Sequence, residues 1–571
     1  MRFDRSLFVL RSGGLAALAF AAAVLLGAAC GGFDKGTRDQ AAKQQAPARP
    51  RSEDLSSNEQ AAVKWTASNQ VHGLQQRFAC VRPGALTGAY EVVAEELEPL
   101  RAFGVIDDTV VVYGTRSVQM TSHLMTRFMK FGRLYRYGLR GDLQWAKETG
   151  AFSRGGYERW LGTPGLRRLS VRPLSVVSDA IAIAGVGTGQ RTRIDGLTHS
   201  GAGFFVASYG LQGKVRWLNG SDGNRASPES VTVANDGSVV VAGWHWGDLR
   251  LGKDQDAVVL RDPSYPPKRG ERGGMRVTDQ RMFLARFDAQ GHFSWAVQAE
   301  AESVPRQAAA TDFTNDGGVV LTGVYGSSLR LGSTNGRSRH IVQPAAGRAR
   351  NREPGGELGR DGSMFVARYD RVGRLRWARS GTSGSAGWAI ATGPDGQTAV
   401  VGVFEDAVDF CGGAACASKP LRSQRGLEGF LALYGVRGSL RWAVRLDGSL
   451  HDAVDTPFAA PSDVLVDPDG RVFVAGCALG EAEFIGKGPM ATRQLLAYVI
   501  AYSHAGDELW RSQMVGKGTV CYASLSVLRD GALAFAVEHN GEFRMAGRSA
   551  SHDNLAVRHP FVVTYCRDTP G

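Results

Sequence analysis

One spacing recurs along this chain: an aromatic residue, a glycine four positions later, and a tryptophan four positions after the glycine. Six copies occur at intervals of 65 to 82 residues. A period of this length indicates repeated supersecondary units that bury their apolar faces against one another. The copies are Tyr137, Gly141 and Trp145; Tyr209, Gly213 and Trp217; Phe287, Gly291 and Trp295; Tyr369, Gly373 and Trp377; Tyr434, Gly438 and Trp442; Tyr502, Gly506 and Trp510.

Each copy is predicted to be a β-hairpin. Glycine adopts the positive φ that tight turns need, so the glycine is placed in the turn and its neighbours in the two strands. Because the aromatic residue and the tryptophan are symmetric about the glycine, their rings are expected to face each other across the hairpin. The spacing therefore predicts hairpins that are stabilised by an internal aromatic pair.

A second motif, usually Asp-Gly followed by a β-branched run, indicates a turn and then a strand. Its seven copies, two of them less regular, predict seven repeats. Two of them continue into nearly the same phrase, GWHWGDLRLG at 243–252 and GVYGSSLRLG at 323–332. The phrase predicts a short extended junction whose alternate residues face inward. The strands end at Gly114, Gly185, Gly243, Gly323, Gly402, Gly476 and Val537.

The two ends of the chain together complete one more repeat. The segment FVVTY, ending at Tyr565, matches the first half of a hairpin, but no tryptophan follows it. The missing half is predicted at residues 64–68 (KWTAS), where Trp65 would be the seventh tryptophan of the series. Such a join closes a ring and leaves no long free sheet edge. We therefore expect an all-β fold over residues 61–571, a seven-bladed β-propeller closed by an N-terminal strand that completes the last blade.

The combined motifs resemble a known repeat. The order Asp-Gly-strand-Gly, then a short segment such as VDF followed by CGG, then Phe-x-x-x-Tyr-x-x-x-Gly-x-x-x-Trp, is similar to the bacterial SBBP-type repeat of seven-bladed β-propellers in exported lipoproteins. The resemblance extends over roughly residues 60 to 566. It implies a location in the cell envelope and a binding or scaffold role, without naming a ligand.

The N-terminus has the pattern of an export signal. Arginines precede an apolar run that is too short to span a membrane comfortably, so residues 1–29 are predicted to be a signal peptide. The segment LLGAAC resembles a lipobox, which implies lipidation of Cys30, although Gly27 occupies the position where leucine is usual. Ordinary secretory cleavage after Ala29 is the alternative. Residues 30–60 are predicted to be a disordered, lipid-anchored tether, and the protein is expected at the outer membrane.

The formal net charge is +12, but the chain has no basic helix and no aromatic-basic RNA motif. Nucleic acid is therefore not expected as a partner. The membrane, through the lipid anchor, and an unidentified protein or anionic envelope polymer are the expected partners. The sequence has no cation loop and no cofactor-binding fingerprint, so neither a metal nor a cofactor is expected.

Six cysteines remain beside Cys30, and an even number in an exported chain suggests disulfides. Cys411 and Cys416, in the segment CGGAAC, are expected to pair locally. The other four allow three pairings. We favour Cys477 with Cys521, and Cys80 with Cys566 at the chain closure.

Two groups of residues are candidates for binding. His245 and Trp246 belong to an aromatic segment that suits carbohydrate or peptide, although a packed histidine is the plainer interpretation. Insertions at 253–281 and 333–361 follow the same point of consecutive repeats and should project from one face. The second insertion contributes Arg337, Arg339, Arg348, Arg350 and Arg352 as a site for an anionic polymer, or simply a solvated loop.

The pattern favours a non-enzymatic binding module over an enzyme. No HExxH motif, nucleophile elbow or recurrent His-Asp partnership is present, so no catalytic residue is assigned. The alternative is an exported propeller enzyme, such as a lyase or a quinoprotein-like dehydrogenase. Such an enzyme should bring titratable side chains together at the inner strands of the ring.

Overall fold

The fold is described from a computed structural model, over the following residues: 75–77, 86–91, 100–106, 108–122, 125–138, 142–152, 173–186, 192–262, 281–302, 307–342, 362–411, 419–423, 427–446, 449–450, 458–479, 482–483, 495–516, 523–528, 531–539, 543–545, 548–550 and 559–565. All of them belong to the unit Ser57–Gly571. They form antiparallel strands and one short 3-10 helix, Asp254–Asp256. Among these residues, no helix is long and apolar enough to cross a membrane.

The strands form antiparallel sheets, and we label the main groups of strands sheets I to VII in chain order, although groups II and III are one continuous sheet that shares β12. The first strands are β1 (Gln75–Arg77) and β2 (Leu86–Glu91). Sheet I contains β3 (Leu100–Ile106), β4 (Thr109–Ser122), β5 (Met125–Gly138) and β6 (Leu143–Phe152). Sheet II contains β7 (Leu174–Val177) and β8 (Ala180–Val186), and, after a separate hairpin of β9 (Thr192–Ile194) and β10 (Leu197–His199), β11 (Phe204–Gly210) and β12 (Val215–Val233).

Sheets III and IV follow the two similar phrases. Sheet III contains the second half of β12, β13 (Val239–Leu251) with β14 (Val258–Leu260) on its end, β15 (Arg281–Phe287) and β16 (Phe293–Glu302). Sheet IV contains β17 (Gln307–Phe313) and β18 (Val319–Tyr325). The edge strands β19 (Ser328–Leu331) and β20 (Arg339–Val342) come next, and β21 (Ser363–Tyr369) and β22 (Leu375–Ser383) complete sheet IV.

Sheet V contains β23 (Ser385–Thr392) and β24 (Thr398–Phe404), followed by the pair β25 (Ala407–Val408) and β26 (Leu421–Arg422), then β27 (Glu428–Tyr434) and β28 (Leu440–Leu446). Strand β29 (Ser449–Leu450) pairs with β32 (Ala482–Glu483) in a separate two-stranded sheet. Sheet VI contains β30 (Phe458–Val466), β31 (Val472–Leu479), β33 (Leu495–Tyr502) and β34 (Glu508–Gly516). Sheet VII contains β35 (Ala523–Val527) and β36 (Leu533–His539). Strands β37 (Phe543–Met545) and β38 (Arg548–Ala550) extend sheet VI. Strand β39 (His559–Tyr565), with β2 and β1 beyond it, completes sheet VII.

The aromatic-glycine-tryptophan motifs form hairpins as predicted, but the rings are arranged differently. In sheet V, Tyr434 is opposite Leu440, and Trp442 is opposite Leu433 because a bulge shifts the register. The prediction that the two rings face each other within one hairpin is therefore wrong. The bulge was not recognised in the sequence, and it turns the tryptophan toward the next repeat, where the ring centroid of Trp442 lies 6.3 Å from that of Tyr502.

The similar phrases connect neighbouring sheets. In both, the two leucines are buried and the arginine between them is exposed, as the alternation predicts. The second half of β13 pairs with the first half of β12, and β19 pairs with β16. Each phrase thus adds a strand to the outer edge of the preceding sheet.

Buried apolar clusters connect consecutive sheets. Between sheets V and VI, for example, Val401 packs in one cluster with Val474. A separate cluster contains Val110 and Val112 of sheet I together with Val562 of sheet VII. The first and last sheets of the chain are therefore in contact through their apolar faces.

An N-terminal strand does pair with the C-terminal strand, but it is not the predicted one. Strand β2 lies beside β39, with Leu86 opposite Tyr565 and Gly88 opposite Thr564, and β36 occupies the other side of β39. The assignment of residues 64–68 to this position is therefore wrong, and these residues, with Trp65, lie outside the described ones. The register places Gly88 where the other hairpins have tryptophan, which explains why a search for tryptophan missed it.

Candidate binding face

The first strand of each of sheets III to VII, which we call its inner strand, is connected to the neighbouring sheet through short polar side chains. Thr232 on β12 donates its hydroxyl to the carbonyl of Thr311 on β17, at 2.7 Å. Asp312 accepts a hydrogen bond from the amide of Thr392 on β23, at 2.7 Å, and Asp463 on β30 accepts one from the amide of Leu525 on β35, at 2.8 Å. These inner polar groups satisfy backbone donors and acceptors of the adjacent sheet.

His245 lies inside the molecule. Its side chain is 0% exposed on β13, and its Nδ1 lies 2.7 Å from the carbonyl oxygen of Gly247. Burial lowers the pKa of His245, so the imidazole is neutral near pH 7 and Nδ1 is the atom that donates. Nε2 is then a buried acceptor, and the described residues provide no donor for it. A ligand at the surface cannot reach this ring in the present structure.

Charged groups surround His245 at the point where the first insertion leaves the sheet. Asp262, 2% exposed, accepts a hydrogen bond from the amide of Gly247 at 2.9 Å and lies 3.7 Å from Nε of Arg281. Arg281 is the strand partner of His245 on β15. Asp248 accepts a hydrogen bond from the amide of Asp262 at 3.0 Å. This network joins the two described ends of the segment between Asp262 and Arg281.

Trp246 points to the opposite face of β13, because successive side chains of a strand alternate. Its ring meets that of Trp244 edge-on, with centroids 4.3 Å apart, and Trp244 donates to the carboxylate of Glu229 at 3.0 Å. His245 and Trp246 therefore do not form one patch, although they are adjacent in sequence. The sequence prediction overlooked this alternation.

The candidate arginines divide into two groups. Arg339 is exposed on β20, and Arg337, two residues before it, is also exposed. Arg348, Arg350 and Arg352 lie outside the described residues. Arg379 was not among the predicted residues; it is half-buried on β22, a strand that contacts β20. Its position two residues after a motif tryptophan could have identified it.

Two of the cysteines have a known state. Cys411 and Cys477 are both disulfide-bonded. Cys477 packs in the same apolar cluster as Ala523, two residues after Cys521. The other cysteines, Cys30, Cys80, Cys416, Cys521 and Cys566, lie outside the described residues, so the pairings remain predictions.

No metal cluster is present in the described part of the chain: no three His, Cys, Asp or Glu side chains there are grouped to hold an ion. The polar network around His245 combines aspartates with an arginine, a combination that suits an internal ion pair. The exposed arginines at the edges of sheets III and IV can instead bind anions through charge-assisted hydrogen bonds.

Comparisons with known proteins give weak likenesses. No family model and no curated protein matches the sequence. Among solved structures, a DUF4221-family member from Bacteroides vulgatus is 8% identical over 69% of this chain and 92% of its own, with a TM-score of 0.24. A streptogramin B lyase is 11% identical over 59% of this chain and 93% of its own, with a TM-score of 0.22.

The extracellular domain of a two-component system from B. thetaiotaomicron is 8% identical over 83% of this chain and 73% of its own, with a TM-score of 0.16. These scores are too low to carry an argument about fold or chemistry. The functional interpretation therefore depends on the residues of this chain.

Proposed function

We propose that this chain is an exported, lipid-anchored binding or scaffold protein of the cell envelope, with a seven-bladed β-propeller as its body and no catalytic activity of its own. The observation that carries this proposal is the difference between its inner and outer polar residues. Inner side chains such as Thr232 and Asp463 are engaged by the neighbouring sheet, whereas arginines at the outer edges, such as Arg337 and Arg339, are exposed.

The propeller part of the proposal is supported by the sequence of sheet contacts. A ring needs every sheet to pack on two others, so the last sheet must meet the first. The apolar cluster shared by Val112 and Val562 supports such a closure, as does the pairing of β2 with β39. A closed ring would hold the edge strands of sheets III and IV in a stable relative position.

The envelope part of the proposal depends on the N-terminus. An apolar run ending at Cys30 and an Arg-containing start support export with lipidation, and the tether at residues 30–60 would let the body reach its partner from the outer membrane. Anionic polymer is the favoured partner class because the chain has a net charge of +12.

A retention assay tests the function. Full-length mature protein is mixed with delipidated envelope polymer at low and at high salt, and the bound fraction is measured. We expect retention at low salt and its loss at high salt, because salt screens the attraction between the exposed arginines and the polymer. The screening length falls from about 10 Å at 0.1 M salt to about 3 Å at 1 M. Absence of retention at low salt would contradict the proposal. Chemical alteration of the polymer by the protein would instead support the enzyme class.

A further inference from the structure

The hairpin turns of sheets I to VI lie side by side at one end of the sheets. The motif tryptophan of each of sheets I to V donates its indole N–H to a carbonyl oxygen in the hairpin turn of the next sheet, at 2.8 to 3.0 Å. The acceptors are Leu211, Ala289, Arg371, Val436 and His504. We call this end of the sheets the turn face.

The turn face carries exposed apolar side chains. Five large apolar side chains are exposed among the described residues, and four of them lie in one of these hairpin turns or within two residues of it. The four are Leu143, Val372, Val436 and Leu509. Exposed apolar side chains that are gathered at one end indicate a surface for contact with a partly apolar partner.

The turns of sheets IV and V combine such apolar residues with arginine. They read DRVGR at 370–374 and GVRGS at 435–439. The two valines are each 45% exposed, and the three arginines beside them are exposed as well. We call these five residues the turn patch: Arg371, Val372, Arg374, Val436 and Arg437.

Carboxylates in the described turns of these two sheets offset only part of the positive charge. Asp316 forms an ion pair with Arg368 at 2.9 Å, and Asp370 lies 4.0 Å from Arg376. Asp395 is the other exposed carboxylate of these turns. The three arginines of the turn patch therefore outnumber it, and the patch is cationic.

Arginines of the preceding sheets hold the backbone of the turn patch in place. Arg286 of sheet III donates to the carbonyl oxygens of Gly317 and, at 3.2 Å, of Arg371, so it joins the two turns of sheet IV. Arg368 of sheet IV donates to the carbonyl oxygen of Val436 in sheet V, at 3.1 Å. A backbone held in this way presents the exposed side chains at a low entropy cost of binding.

The corresponding turn of sheet III shows that the turn itself does not require these side chains. It reads DAQGH at 288–292. Asp288 accepts the backbone amides two and four residues later at 3.0 and 2.8 Å, and Asp370 does the same at 3.1 and 2.9 Å. The glycines of the two turns have φ angles of 83° and 79°. Alanine, glutamine and histidine therefore fit where sheet IV has Arg371, Val372 and Arg374.

We propose that the turn patch binds the surface of a membrane that contains anionic phospholipid. The arginines donate charge-assisted hydrogen bonds to lipid phosphates, and the valines enter the headgroup region. A soluble polyanion would contact the arginines but gain little from the valines, so the combination favours lipid. This contact goes beyond the proposed function, because it adds a second attachment to the membrane that does not involve lipidation of Cys30.

Cosedimentation with lipid vesicles tests the patch on the full-length mature chain carrying Cys30→Ser, which cannot be lipidated. Vesicles of phosphatidylcholine alone are compared with vesicles of phosphatidylcholine mixed equally with phosphatidylglycerol. We expect binding to the anionic vesicles only, with an affinity that falls as salt rises. Replacement of the three patch arginines (R371Q, R374Q and R437Q) should weaken binding about tenfold or more. The control removes the same charge from exposed positions of β9, β13 and β19 and should change affinity less than about twofold: R193Q, R250Q and R330Q.

A second variant protects the test against misfolding. R371A, V372Q and R374H together copy the turn of sheet III, so this variant should keep the melting temperature of the parent protein. At pH 7.5 its new histidine is mostly neutral, and vesicle binding should weaken about threefold or more. Unchanged vesicle binding in this variant and in the glutamine variant would overturn the proposal.

Substitution of the valines distinguishes a lipid surface from a soluble polyanion. V372S with V436S should weaken binding to anionic vesicles about threefold or more, because less apolar area leaves water. Binding to linear polyphosphate should change less than about twofold. Unchanged vesicle binding in this variant would overturn the lipid assignment and show that the patch acts through charge alone. Absence of vesicle binding in the parent protein would overturn the proposal, whereas retention on envelope polymer tests the proposed function separately.

Discussion

At the residue scale, the recurring tryptophan is a contact between repeats. Trp377 of sheet IV donates its indole N–H to the carbonyl oxygen of Val436, at 2.9 Å, in the hairpin turn of sheet V. Gly438 in that turn has a φ of 76°, and a Cβ there would lie 2.6 Å from the indole ring. The glycine is thus needed both for the turn and for the close approach of the tryptophan.

Two glycine substitutions separate these requirements. Gly336 has a φ of 73°, but a Cβ there would meet no atom within 4 Å. We expect Gly336→Ala to lower the free energy of unfolding by about 1 kcal/mol, the cost of positive φ alone. Gly438→Ala should cost about 1 to 3 kcal/mol more, because the ring must move. Equal losses in denaturant unfolding would show that the Trp377 contact is unimportant.

The buried His245 predicts an acid-sensitive stability. Burial lowers its pKa in the folded state below the ordinary 6.5, so the unfolded chain binds more protons. Stability should therefore be fully present above pH 6.5 and fall as pH drops from 6.5 toward the folded-state pKa, by at most about 1.4 kcal/mol per pH unit for one group.

Urea unfolding at several pH values measures this effect. His245→Asn should reduce the slope of unfolding free energy against pH between about pH 6.5 and 5. Arg250→Gln, at an exposed position of the same strand, changes no imidazole and is the control that should leave the slope unchanged. An unchanged slope in His245→Asn would mean that the imidazole does not titrate differently on unfolding.

At the element scale, strands were easier to predict from the sequence than their partners. The Asp-Gly turns and β-branched runs placed strands such as β13 and β18 correctly, because turn chemistry and period-two burial are local properties. The bulge before Trp442 and the pairing of β2 with β39 depend on register. Register is set by contacts between distant segments, and a one-residue shift reverses every side chain.

The candidate site was predictable only in part for the same reason. The phrase and the insertions located Arg337 and Arg339, but Arg379, on the neighbouring strand β22, is 40 residues away from Arg339 in the chain. The pairing of His245 with Arg281 likewise crosses an insertion. Sequence periodicity does not indicate which residues on the two sides of an insertion are brought into contact.

Strand β2 supplies a direct test of the corrected pairing. Ala89 is opposite Val563 of β39 and Gln76 of β1, so proline at this position must break a ladder hydrogen bond. We expect Ala89→Pro to lower the free energy of unfolding by about 1 to 3 kcal/mol. Ala67→Pro, in the segment KWTAS, is the matched control and should have little effect. A larger loss for Ala67→Pro than for Ala89→Pro in thermal melts would instead support the pairing of residues 64–68 with β39.

At the scale of the whole molecule, the proposed ring makes the stability of the first and last sheets interdependent. In an open array, terminal sheets would need polar outer faces, and their core residues would act independently. In a ring, an apolar residue of sheet I and one of sheet VII share a core. The cluster that contains Val110 and Val562 is the place where the two arrangements differ.

A double-mutant cycle on Val110→Ala and Val562→Ala measures that difference most directly. The account predicts a coupling free energy of about 0.5 kcal/mol or more, because both side chains line one cluster. The control pair, Val110→Ala with Val474→Ala from the cluster between sheets V and VI, should be additive within about 0.5 kcal/mol. Additivity of the Val110 and Val562 losses would contradict closure between the first and last sheets.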